Sequence, residues 1–168
     1  MKKAFTLLEL LVVVSIIGVL LGLVVSVASS SVQWSREWKA DALCKVVQAG
    51  LAEYKAREGD WPGSFNRSFD GDDYTLSNSE VKDAIKAVVV YSVTKSPLMD
   101  VSLLHVSGSL SAKNRGRNFM DAIKGSEKYP RKMSVSEMYF GYAEKKHGYF
   151  RPFKIKYSKP ANSMEVTK

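Results

Sequence analysis

Disulfide bonding is the first thing this chain lacks. Its 168 residues include one cysteine, Cys44, so no intrachain disulfide can form and any folded domain must rest on its apolar core. Cys44 lies in a segment that reads as helical and is expected to be a small buried hydrophobe, with intermolecular pairing the lesser alternative. Histidine is nearly as scarce. His105 and His147 fall in an expected strand and an expected turn, with no second His or Cys at ligand spacing. The chain has no Gly-x-x-x-x-Gly-Lys phosphate loop, no Gly-x-Ser-x-Gly elbow and no His-Glu-x-x-His helix. Ser107-Gly108-Ser109 reads only as a turn. These absences argue against an enzyme. No internal repeat or low-complexity tract is visible either.

Charge is missing from one long stretch. After Lys2, Lys3 and Glu9 no charged residue occurs until Arg36. The interval is apolar through Val27 and then rich in serine. At about 1.5 Å per residue, roughly 20 residues cross a hydrocarbon core of about 30 Å, and this run suffices. Leu, Val and Ile cover every side of the expected helix, so it suits lipid or a bundle of its own kind. Lys2 and Lys3 on the amino side predict a cytoplasmic N-terminus and an external C-terminus. Gly18 and Gly22, four apart, suit close helix approach or local unwinding, and equally an ordinary membrane helix.

Glu9 is the anomaly in that stretch. A carboxylate inside a membrane helix costs a few kcal/mol and calls for a partner. Lys2 and Lys3 are the nearest cations; a chain cut after Ala4 would instead offer the Phe5 α-amine of a neighbouring copy. Two plainer readings stay open. Glu9 sits at the interface if the span begins at Leu10, and the whole stretch is a secretory signal if cleavage follows Ser26-Val27-Ala28. The uncharged run is longer than a usual signal core.

In residue order, Lys2-Lys3-Ala4-Phe5-Thr6-Leu7-Leu8-Glu9-Leu10 resembles the cleavage and methylation motif of type IV prepilins and of the pseudopilins of type II secretion. The resemblance implies removal of a basic leader between Ala4 and Phe5 by a prepilin peptidase and methyltransferase, with N-methylation of Phe5. It also implies an assembly role for Glu9, which would neutralise the Phe5 amine of a neighbouring subunit in a homo- or hetero-filament raised from an inner-membrane platform. The family usually has Gly before the cut, where this chain has Ala4. A second segment, Leu51-Ala52-Glu53-Tyr54-Lys55-Ala56-Arg57-Glu58-Gly59-Asp60-Trp61-Pro62, is similar to the helix-end segment of major pseudopilins. Together they imply a structural subunit of a type II secretion pseudopilus, with a type IV pilus subunit as the near neighbour. The implied location is the bacterial inner membrane, single-pass, with a periplasmic domain.

Beyond the apolar run nothing stops the helix before Gly59 and Pro62. Trp34 and Trp38, four apart, share a face suited to an interfacial belt. Leu43, Val47, Leu51 and Tyr54 continue an apolar stripe expected to pack on a globular domain. A helix from Phe5 to Glu58 would be about 80 Å long. The expected organisation is a leader at 1–4, a membrane and filament-core segment at 5–32, and an external domain at 33–168 whose upper helix is 33–58.

In the loop 63–78, Asp70, Asp72 and Asp73 stand close together. They are weak calcium candidates, because the following residues do not complete a ligand set; a solvated loop is the expected state, and no cofactor is required. Ser77-Asn78-Ser79-Glu80 reads as a capping box opening a helix with Val81, Ala84, Ile85 and Val88 on one face. Val101–Val106 reads as a strand, and Asn118 as the cap of a short helix ending at Gly125. Met138–Tyr142 and Phe153–Tyr157 read as antiparallel strands joined by a turn at Lys145–Gly148, with a last strand around Met164–Val166. The fold class is α+β: a long N-terminal helix packed on a small C-terminal antiparallel sheet.

The net charge of +8 is uneven. Residues 36–112 hold 9 basic and 11 acidic residues, whereas 113–168 hold 14 and 5. Solvated lysines are the common explanation. The alternative is a minor pilin that captures DNA through Lys145, Lys146, Arg151, Lys154 and Lys156, with steep salt dependence. A plain signal-anchored external protein is the third reading.

Overall fold

The computed structural model describes residues 7–65, 69–110, 116–128, 130–144 and 149–168. Helix α1 spans Leu7–Glu58, with no proline to interrupt it. It ends where Gly and Pro predict. Gly59 adopts φ +81°, a conformation L side chains resist, and its N–H donates to the Lys55 carbonyl over 2.8 Å. Lys55 and Arg57 occupy the last turn, where cations complement the negative end of the helix dipole. The chain divides into two compact units between Trp38 and Lys39.

Within the second unit, α1 contributes one buried face. Leu43, Val47 and Leu51 recur every four residues, and with Ala40 and Cys44 they are buried, Leu51 completely. Tyr54 is half-buried at the end of the same stripe. Each fully buried aliphatic side chain contributes about 1.5–3 kcal/mol relative to exposure.

After the helix, a loop leads to strand β1, Asp73–Thr75, and helix α2, Asn78–Thr94. The expected capping box opens α2. The Glu80 N–H donates to Ser77 Oγ, and the Ser77 N–H donates to the Glu80 carboxylate. Val81, Ala84, Ile85, Val88 and Val89 form its buried face.

The segment expected as one strand over Val101–Val106 is split. Asp100 Oδ1 accepts from the Ser102 N–H at 2.9 Å, and this local cap closes a 3-10 turn over Val101–Leu103. Strand β2 is therefore only His105–Ser107. Short side-chain acceptors offer the backbone such an alternative to a sheet ladder.

Strand β3, Arg117–Asn118, runs into helix α3, Phe119–Lys124. Asn118 caps α3 by accepting from the Met120 N–H at 2.9 Å, as its position predicts. The remaining strands are β4 (Tyr139–Glu144), β5 (Tyr149–Pro152), β6 (Lys154–Ser158) and β7 (Ser163–Thr167).

The strands form two antiparallel sheets rather than one. One has the order β1-β6-β7 and the other β3-β2-β4-β5. The expected pairing of 138–142 with 153–157 is thus corrected. β4 pairs instead with β5, with Gly141 opposite Pro152, while β6 pairs with β7 and β1. The turn at 145–148 lies outside the described residues. Phe153 is the crossing point: its side chain is fully buried and its N–H donates to the Phe140 carbonyl at 3.1 Å. Gly141 permits the approach, because a Cβ there would overlap the Arg151 carbonyl.

Strand β7 runs antiparallel to the part of α1 in this unit. At one end Lys55 Nζ donates to the Asn162 carbonyl at 2.8 Å. At the other, Lys168 Nζ pairs with Asp41 at 3.0 Å. Met164 and Val166 point into the core and their neighbours outward. The fold is α+β, as the sequence predicts.

Candidate functional site

The residues that carry the N-terminal motif are the first candidate. Lys2, Lys3, Ala4 and Phe5 lie outside the described residues. Glu9 lies within the described part of α1.

From Leu7 to Val25, 19 residues form a helix long and apolar enough to cross a membrane. Its apolar side chains are exposed: Leu10 is 61 % exposed, Leu20 55 % and Val25 68 %. Such a continuous apolar surface is not tolerated in water and requires lipid or other helices. Two serine hydroxyls of α1 are satisfied within the helix. Ser15 Oγ donates to the Leu11 carbonyl at 2.8 Å, and Ser31 Oγ to the Val27 carbonyl at 3.0 Å. Both bonds remove hydroxyls that would otherwise be costly in hydrocarbon. Among the described residues no atom would meet a side chain at Gly18 or Gly22. Trp34 and Trp38 are 68 % and 76 % exposed.

The calcium candidates are dispersed in use. Asp70 and Asp72 are exposed. Asp73 pairs with Lys156 Nζ at 2.8 Å, and the hydrogen bond from Lys156, supported by Ser158, holds its carboxyl below the usual aspartate value. The Asp72 carbonyl accepts from the Lys159 N–H at 2.7 Å. Among the described residues, no group of three or more His, Cys, Asp or Glu could hold a metal ion.

The basic residues of the C-terminal half do not share one sheet. Arg151 is in β5, whereas Lys154 and Lys156 are in β6, and Lys156 is engaged with Asp73. Lys145 and Lys146 lie outside the described residues. Cys44 is buried, and desolvation, with Asp41 adding to it, pushes its thiol above the ordinary value. Such a thiol is a packing group, not a nucleophile.

One junction escaped the sequence reading. Asn162 gathers Trp61, Tyr157 and Lys55 around itself. Pro160-Ala161-Asn162 is turn-like in sequence, but that local pattern is silent about partners 101 and 107 positions away.

Residues 1–25 match the family model described as the prokaryotic N-terminal methylation motif. No curated protein and no solved structure matches the chain. Its N-terminal motif and the apolar helix that follows are those of a precursor in the type IV prepilin and pseudopilin family.

Proposed function

We propose that this chain is a structural, non-enzymatic subunit of a type II secretion pseudopilus. It is inserted with its N-terminus in the cytoplasm and its C-terminal domain in the periplasm. A prepilin peptidase cuts between Ala4 and Phe5 and the new Phe5 amine is methylated. The subunit then leaves the membrane for a helical filament cored by bundled apolar helices. The observation that carries this reading is the match at residues 1–25 continuing into a helix whose apolar side chains are exposed. The family-like segment from Leu51 to Pro62, at the close of α1, supports the secretion subfamily.

Glu9 acts in that core as the acceptor for the Phe5 amine of an adjacent subunit. Attraction at low dielectric is strong, but desolvation offsets much of it. The pair therefore sets register more than it adds stability. N-terminal mass analysis of the membrane-extracted protein tests the processing. A start at N-methyl-Phe5 is expected; an intact Met1, or a start near Ser29 as in a cleaved secretory signal, overturns it. Deleting the gene separates the two filament types: lost export of secreted proteins with surface pili retained supports the pseudopilus, and the reverse supports a type IV pilus. Capture of DNA is less supported, since Lys156 of its contact set is engaged by Asp73.

A further inference from the structure

The end of the second unit at which the chain enters from the apolar helix is basic, and the fold makes it so. β7 runs down α1 from Asn162 beside Lys55 to Lys168 beside Asp41. Lys154 is opposite Thr167 in the β6–β7 ladder, so the start of β6 lies at this same end. Lys39 and Lys45 flank Asp41 on α1, and Lys39, Lys45 and Lys154 are all exposed. Among the described residues these three make no ion pair; of the acids near them, Asp41 is held by Lys168, while Glu37 on α1 and Glu165 on β7, two residues before Thr167, are exposed. With Lys168, these lysines outnumber Glu37, Asp41 and Glu165 by four to three at the end where the chain enters the domain. Two amphipathic indoles, Trp34 and Trp38, are exposed just before Lys39.

We infer that this end of the domain docks on anionic phospholipid headgroups while the subunit resides in the membrane. The inference rests on the reading of Leu7–Val25 as a span. The headgroup phosphates of an anionic leaflet attract juxtamembrane lysines, and the attraction fades within a Debye length. Because the chain is tethered beside the surface, weak contacts act at high effective concentration. Each lysine near such a surface contributes about fivefold in binding. Docking would hold the domain against the bilayer until assembly lifts it away.

The test uses the full chain in vesicles. A fluorophore is attached at Thr167→Cys, at the basic end, or at Ser163→Cys, at the other end of β7, and quenching by headgroup-labelled lipid is measured. Native Cys44 is buried and stays unlabelled. In vesicles with about a third phosphatidylglycerol, Thr167→Cys is expected to be quenched more than Ser163→Cys, and about 0.5 M NaCl should abolish the difference. Phosphatidylcholine vesicles should show no difference. Adding Lys39→Glu, Lys45→Glu and Lys154→Glu should remove it, whereas the three Lys→Arg changes should retain it. Quenching that is indifferent to lipid charge, salt or the lysines overturns the inference. So does inorganic phosphate competing better than chloride at equal ionic strength, which would mean a phosphate site rather than a surface. Release of the chain by alkaline carbonate would instead defeat the membrane-span reading.

Discussion

The indole N–H of Trp61 donates to the side-chain oxygen of Asn162 at 2.9 Å. Tyr157 donates its hydroxyl to the same oxygen at 3.2 Å. Lys55 Nζ reaches the Asn162 backbone carbonyl and lies 4.5 Å from the centre of the Trp61 ring. One asparagine therefore ties together the end of α1, the loop that follows it, β6 and the turn into β7. Its φ of +46° is one that Asn tolerates better than most side chains.

Asn162→Gly should destabilise the fold by about 1–3 kcal/mol, because two partly buried donors lose their acceptor. Asn162→Ala loses the same bonds and should cost about 1–2 kcal/mol more, since alanine resists the left-handed backbone. Urea unfolding of the detergent-solubilised chain, followed by tryptophan fluorescence, measures both. Equal losses in the two variants would contradict the backbone argument.

Gly141→Ala should be severe for a different reason. The added Cβ would overlap the Arg151 carbonyl, and that atom belongs to a paired strand that cannot simply move. A loss near the upper end of about 1–3 kcal/mol is expected, as for overpacking at an unyielding site. A melting temperature unchanged from wild type would show that β5 yields freely.

Acid should weaken the join between β1 and β6. Lys156 holds the Asp73 carboxyl below its ordinary value of 3.8, so folding binds fewer protons there than unfolding does. The stabilisation is present above pH 3.8 and is lost as pH falls through the lower folded-state value. Asp73→Asn should be less stable at neutral pH, and its deficit relative to wild type should shrink as the solution is acidified below about pH 4. Denaturant midpoints across that range test this. A deficit that stays constant excludes the linkage.

Glu9→Ala should leave membrane insertion intact and impair filament assembly. Carbonate extraction reports the first, and the yield of sheared filaments the second. Normal incorporation would remove the role assigned to Glu9.

Core truncation provides the reference scale. Leu51→Ala removes a completely buried side chain at the centre of the α1 face and should cost about 2–5 kcal/mol. The same urea unfolding measures it, and a cost below that of Asn162→Gly would mean that the α1 stripe does not anchor the domain.

Several features were legible from residues alone because their causes are local. A capping box needs only Ser77 and Glu80, a helix stop only Gly59 and the Pro that follows, a membrane-capable helix only its uninterrupted apolar run. The buried stripe of Leu43, Val47 and Leu51 needs only its spacing. The N-terminal motif was legible as an order of residues along the chain, and residues 1–25 match it.

The division into two sheets was not legible, because alternation in Lys154–Ser158 declares a strand without naming its partner. Phe153 and Gly141 decided it: one is a buried side chain that pins the crossing, and the other a missing side chain that lets two backbones meet. The single role of Asn162, and the gathering of Lys39, Lys45 and Lys154 at one end of the domain, likewise arose only in three dimensions. By itself the sequence determined the helix, its caps and the N-terminal motif. Only the tertiary structure decided which strands pair and which cations share a surface, because those contacts join residues whose spacing along the chain carries no periodic signal.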